Sequence, residues 1–164
     1  MLPLLAVLVQ AVPAAPLPHA EIWFDAKASV ADFQGRVTVA TGTLTWVEVR
    51  WQDIDTKNGT RNRHMLKTVD AEHFPVIRFD LGGTTADTGP VQVKGTLTLH
   101  GVSQPVEWPA TIHAEADSVS VAADFPVDMR DYGIKPPVKF VIARMGPVVQ
   151  VHVRLVFRKN QTRG

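Results

Sequence analysis

Over most of this 164-residue chain beyond Ala20, apolar and polar residues alternate with a period of two, and that pattern excludes most folds. Successive side chains on a strand point to opposite faces, so sustained alternation describes a sheet with one face buried. The clearest stretch lies near the end. There Val149, Val151, Val153, Leu155 and Phe157 share one face, with Gln150, His152, Arg154 and Arg158 on the other. Val91, Val93, Gly95, Leu97 and Leu99 repeat the pattern. After a turn at Gly101-Val102-Ser103-Gln104 come Val106, Trp108, Ala110, Ile112 and Ala114, and then Val119, Val121, Ala123 and Phe125. Ile77, Phe79 and Leu81 form a shorter apolar face, while Ile22 to Val30 and Val37 to Trp51 alternate less regularly. Many short antiparallel strands, each apolar on one side, predict an all-β sandwich or up-and-down barrel.

A barrel of about eight strands is just wide enough to be filled by side chains or to hold one small ligand. Its predicted inner wall carries Ile77, Phe79, Val93, Leu97, Leu99, Trp108, Ile112, Val121, Phe125, Val151, Val153 and Leu155. Among the bulky Phe79, Trp108 and Phe125 stand Gly95, Ala110, Ala114 and Ala123, where a filled core would carry Leu, Ile or Phe. These small residues predict a cavity; the alternative is that they bed the aromatic rings tightly.

One segment departs from alternation. From Thr60 to Val69 the spacing predicts a short helix, with Thr60 as its cap and Asn58-Gly59 as the turn before it. At 100° per residue Met65, Leu66 and Val69 share a face, and Arg61 lies one turn below Met65. Met65, Leu66 and the nearby Phe74 are therefore added to the tunnel wall. Arg61, His64, Arg130 and Tyr132 are candidates for a ligand's head group, against the alternative of solvated charges and a packed tyrosine.

Residues 1–20 read as a signal peptide, and 21–164 as a single domain. Leu2 to Val12 is a mostly apolar run followed by Pro13, Pro16 and Pro18, too short and too broken to span a bilayer as a helix. Val12-Pro13-Ala14 and Pro18-His19-Ala20 both suit a small-residue cleavage site, although the run lacks a leading Lys or Arg. No cysteine is present, which excludes a disulfide framework, a cysteine-anchored lipoprotein and thiol chemistry. The formal charge of +1 gives no electrostatic case for nucleic acid. The sequons Asn58-Gly59-Thr60 and Asn160-Gln161-Thr162 are taken as chance matches.

Signs of catalysis are missing. Gly101-Val102-Ser103-Gln104-Pro105 begins like a nucleophile elbow but lacks the closing glycine and joins two strands. His64, His73, His100, His113 and His152 have no metal-ligand spacing, and the last three fall on outward faces as solvated histidines. The expectation is a non-enzyme without cofactor, metal or catalytic residues.

Three stretches together resemble the YceI family of polyisoprenoid-binding proteins. They are Asp55-Thr56 through Arg61-Asn62-Arg63-His64-Met65-Leu66 to His73-Phe74-Pro75-Val76-Ile77-Arg78-Phe79, then Gly95 to Val106, then Arg130-Asp131-Tyr132-Gly133-Ile134. The resemblance runs from about Asp32 to the end. It implies a lipocalin-like antiparallel barrel of about eight strands with one or two short helices. It also implies carriage of an isoprenoid or other long-chain lipid in an apolar tunnel, in the periplasm or secreted, without stable membrane insertion. This chain departs from the family in having Asn62 where an acidic residue is common, and in an abbreviated first hairpin around Phe24 to Gly42. Two other readings stay open: a solid barrel that binds another protein, such as a stress-associated periplasmic module, and a hydrolase acting on apolar substrates. A homodimer is likewise left open.

Overall fold

The structure, a computed structural model, describes residues 16–29, 31–135, 138–139 and 143–159. Most of the apolar leader and the sequon at Asn160 lie outside these. The strands are β1 (His19–Ala28), β2 (Phe33–Val37), β3 (Ala40–Thr43), β4 (Trp46–Arg50), β5 (Ile54–Asp55), β6 (Val76–Thr84), β7 (Gly89–Leu99), β8 (Val102–Ala114), β9 (Ser118–Asp128), β10 (Val138–Lys139) and β11 (Ala143–Arg158). One helix, α1 (Gly59–Thr68), stands between β5 and β6.

All pairings are antiparallel, and β10 pairs with β11 beside the main path. The path runs β3-β4-β6-β7-β8-β9-β11-β1-β2-β5. It closes on itself, because the Leu17 amide donates to the Ala40 carbonyl at 3.1 Å and Pro16 bridges Thr41 in β3. β2 and β3 are one run of chain interrupted at Thr38-Val39, and β4 and β5 are another, interrupted by the 3-10 turn Trp51–Asp53. The Thr38 amide spans this double break by donating to the Asp53 carbonyl at 2.7 Å. Counted as continuous runs, β1, β2–β3, β4–β5, β6, β7, β8, β9 and β11 make the eight-stranded, lipocalin-like barrel that the family resemblance implies.

Local chemistry differs from expectation at the helix start. Asn58, not Thr60, is the cap: its side-chain oxygen accepts from the Arg61 amide at 3.0 Å. Asn58-Gly59 therefore opens the helix instead of forming a separate turn. Asparagine ranks above threonine in this role, and the helix gains its first turn from Gly59 onward.

The barrel's two halves are packed differently. At the end that carries α1, Trp51, Ile54, Val69, Leu99, Tyr132 and Ile134 are buried, Ile134 to 1% exposure. Along the middle, Ile22, Phe24, Val47, Phe79, Val121, Val151 and Val153 face inward yet stay only half-buried. The surface they keep is on the inside.

Candidate functional site: an apolar cavity

The inner wall lines a cavity of about 560 Å³. Twelve strand residues expected on the wall line it: Ile77 and Phe79 from β6, Val93, Leu97 and Leu99 from β7, Trp108 and Ile112 from β8, Val121 and Phe125 from β9, and Val151, Val153 and Leu155 from β11. Met65 lines it from α1. Ala110 and Ala123 also open onto it, as expected of small residues in a hollow wall.

Three expected positions fall elsewhere. Leu66 turns toward a surface groove with Lys67, Asp70 and Pro75, because the stripe that α1 presents inward is Arg61, His64, Met65, Thr68 and Val69. Phe74 packs instead on the β7–β8 turn, with its ring 5.1 Å from His100 and filling the space a Cβ at Gly101 would need. Gly101 has φ +69, so both its conformation and its lack of a side chain are used. Ala114 is exposed at the rim.

Gly95 does not leave empty space. The Phe79 ring lies where its Cβ would be, and Phe79, Trp108 and Phe125 stack across the interior with centroids 5.6 and 3.6 Å apart. Both readings of the small residues thus hold, at different positions: Gly95 beds a ring, whereas Ala110 and Ala123 widen the cavity. Alternation alone could not separate them, because both sit on the inner face.

The wall also includes residues not expected from the sequence. Ile22 and Phe24 (β1), Phe33 and Val37 (β2), Leu44, Trp46, Val47 and Val49 around β4, and Met145 all line the cavity. Ile22/Phe24 and Val47/Val49 do alternate, and that signal was available. The interrupted strands obscured its register.

Of the head-group candidates, Arg61 and His64 line the α1 end of the cavity and the other two do not. Arg130 forks onto Asp128, Nη2 donating at 2.8 Å, on the exposed surface. Tyr132 is 3% exposed, and burial, aided by the nearby Asp131 charge, pushes its hydroxyl up to about 12. Its carbonyl lies 2.9 Å from His100 Nδ1.

Arg61 is held by its neighbours. Its guanidinium lies 4.4 Å from the Phe33 ring centroid, and Nη1 donates to the Thr56 carbonyl at 3.4 Å. The adjacent Asn62 ties the helix to β5: its side-chain oxygen accepts from the Thr56 amide at 2.9 Å and hydroxyl at 2.6 Å, and its Nδ2 donates to Asp55 at 3.0 Å. An acidic residue could accept the two Thr56 bonds but could not donate to Asp55, so Asn62 suits this site better.

The outward histidines are not all solvated. His113 is, but His152 is clasped by two carboxylates, Nδ1 2.7 Å from Asp124 and Nε2 2.7 Å from Asp25, and stacks on Trp23 at 4.9 Å.

The model of the YceI-like domain matches residues 16–157. A UPF0312 protein of Pseudomonas putida (strain W619) is 26% identical over 121 residues, covering 58% of this chain and 60% of its own length. A second UPF0312 protein, from strain KT2440, is 27% identical over 105 residues, 56% of this chain and 52% of its own. The chain thus matches only about half to three-fifths of the length of these relatives. A polyisoprenoid binding domain from Saccharophagus degradans has the same fold, with a TM-score of 0.73 at 15% identity over 87% of this chain and 97% of that one. BcnA of Burkholderia cenocepacia superposes with a TM-score of 0.69 at 14% identity, covering 84% and 95%. No helix among the described residues is long and apolar enough to cross a membrane.

Proposed function

The chain belongs to the YceI-like domain family, and on that premise we propose that it binds the apolar tail of an isoprenoid-type lipid inside its barrel and carries it unchanged. The observation that carries this reading is the inner wall: a ring of Val, Ile, Leu, Phe and Trp side chains left half-exposed to an interior space of about 560 Å³. That volume lies within the range of about 300–1,000 Å³ common to small-molecule sites, and a solid barrel has no such room. A hydrolase would need several polar groups converging on one point. The polar side chains of the described lining are three threonines, Arg61, His64 and the indoles of four tryptophans, with no carboxylate among them.

Energetics favour a reversible carrier. Burial contributes about 0.8 kcal/mol per CH₂, so each five-carbon unit is worth roughly 3–4 kcal/mol against water. Measured from a bilayer, where the tail is already dry, that term nearly cancels. A protein of this kind therefore exchanges its ligand with membranes.

Such a carrier would work in the periplasm, reached through the apolar leader. We place the cleavage after Ala14, not after Ala20. A cut at Ala20 would remove Leu17, buried and bonded to Ala40, together with the start of β1, and would reopen the barrel.

Native mass spectrometry of the protein recovered from periplasmic extract tests both points. The expected result is a mature mass beginning at Ala15 with a bound species that fragments as an isoprenoid. A clean apo mass that also ignores added polyprenyl lipid would sink the carrier reading, and a mass beginning at Glu21 would sink the cleavage assignment.

A further inference from the structure

The ends of the cavity are not equivalent in charge, and this bears on what the ligand carries besides its tail. Among the described residues that line the cavity there is no carboxylate, and the cationic or titratable basic side chains are Arg61 and His64, both on α1. Arg61 differs from three arginines of the outer surface in having no carboxylate partner among the described residues, and from the other described arginines in lining the cavity. Arg78 is held by Glu48 and Asp80, Arg130 by Asp128, and Arg154 by Asp124. Arg61 has no carboxylate partner among the described residues; its contacts are the Phe33 ring and one long bond to the Thr56 carbonyl. The nearby Asp55 carboxylate accepts from Asn62 and from the Lys57 amide through Oδ1, at 3.0 and 2.9 Å. The stacked guanidinium keeps most of its five N–H donors unspent, in the planar fork that matches a carboxylate or phosphate.

We infer that the α1 end of the cavity selects an amphiphile with an anionic head group, phosphate or carboxylate, and that Arg61 is the residue that selects it. This rests on the tail-binding reading above. The tail supplies affinity to any ligand of suitable shape, so it does not discriminate between head groups. Arg61 does, because a charge-assisted, bidentate contact is about twice as strong as a neutral one. Its ring contact with Phe33 and the brace from Asn62 hold the fork in place, which limits the ordering cost on binding.

The test uses the delipidated full-length mature chain and three probes with one tail: farnesyl monophosphate, farnesoic acid and farnesol. Quenching of the cavity tryptophans reports binding. Both anions are expected to bind about ten-fold more tightly than farnesol at low salt. Whichever anion binds more tightly distinguishes a phosphate from a carboxylate head. Arg61→Gln should remove the preference by weakening both anions far more than farnesol, and Arg61→Lys should retain part of it. Equal affinities in the unmodified protein, or a preference that survives Arg61→Gln, would overturn the assignment and leave tail binding intact. If none of the three binds, the tail-binding reading itself fails.

Discussion

The α1 end of the barrel and its middle are built from the same kinds of residue and yet differ in what those residues touch. At the α1 end, Ile134 and Tyr132 are 1–3% exposed, and the 3-10 turn Met129–Tyr132 and the β7–β8 hairpin close over them. In the middle, Val151, Val153, Val121 and Ile22 face the same interior but keep part of their surface against open space. The lesson is that apolar character on an inward face does not measure stabilisation. The neighbours do. A side chain that lines a cavity has given up only part of its contact with water and has gained fewer dispersion contacts.

Truncation should expose that difference most strongly. Ile134→Ala removes a fully packed side chain and is expected to cost about 2–5 kcal/mol. Val153→Ala widens a space that already exists and should cost about 1 kcal/mol or less. Urea denaturation of the ligand-free protein measures both, and equal costs would mean that the two regions are packed alike.

Enlargement should give the opposite asymmetry with a smaller range. Ala26 is 1% exposed and lies at the tight end of β1 beside Val149, so Ala26→Leu is expected to lose about 1–3 kcal/mol by overpacking. Ala123 opens onto the cavity, so Ala123→Leu should leave stability within about 1 kcal/mol while cutting the binding of a farnesyl probe. If Ala123→Leu destabilises as much as Ala26→Leu, the middle of the barrel is full and the comparison fails.

Much of this contrast was out of reach of the sequence. Alternation gave the inner face of β6 to β9 and of β11 residue by residue, because side chains on a regular strand must obey a period of two. It could not give depth of burial, which depends on what stands opposite. Gly95 and Ala123 read alike, but one lies beneath the Phe79 ring and the other beside open space. Register faltered where backbone breaks reset the period, at Thr38-Val39, at Trp51–Asp53 and at the bulge between Leu81 and Gly83, and with it went Phe33, Trp46 and Val47. The rotation of α1 was likewise hidden. Met65 and Leu66 are equally apolar, and only the seating of Arg61 on Phe33 and of Asn62 on β5 decides which of them turns inward.

The hollow middle has a compensating feature on its outer face, and this gives the smallest of the expected effects. Behind Ile22, Phe24, Val151, Val153 and Ala123, His152 joins β11 to Asp25 of β1 and to Asp124 of β9. Trp23 stacks on its ring, Gln34 of β2 donates to Asp25, Arg154 pairs with Asp124, and Arg36 lies over Trp23. The hydrogen bond to Asp124, with that to Asp25 and both carboxylate charges, raises the pKa of His152 against the opposing effect of burial. Asp25 and Asp124 are correspondingly lowered, Asp25 chiefly by its bond from Gln34 and Asp124 chiefly by its bond with His152. Both ring nitrogens can donate only in the imidazolium, so the clasp is complete only when His152 is charged. The folded-state pKa exceeds the unfolded value near 6.5, so this stabilisation is fully present below that value and is lost as pH rises through the folded pKa. The two carboxylates act in the opposite sense: their share is present above the unfolded value of 3.8 and is lost as pH falls through their lowered pKa values. Stability from the cluster should therefore be greatest between roughly pH 4 and 6.5 and decline on either side. With His152 23% exposed and the carboxylates more so, the alkaline decline should amount to less than about 1 kcal/mol. Thermal unfolding from pH 5 to 9 measures it, and His152→Gln should flatten the profile by lowering its acidic side. An unchanged profile in that variant would mean that the middle of the barrel stands without this outer brace.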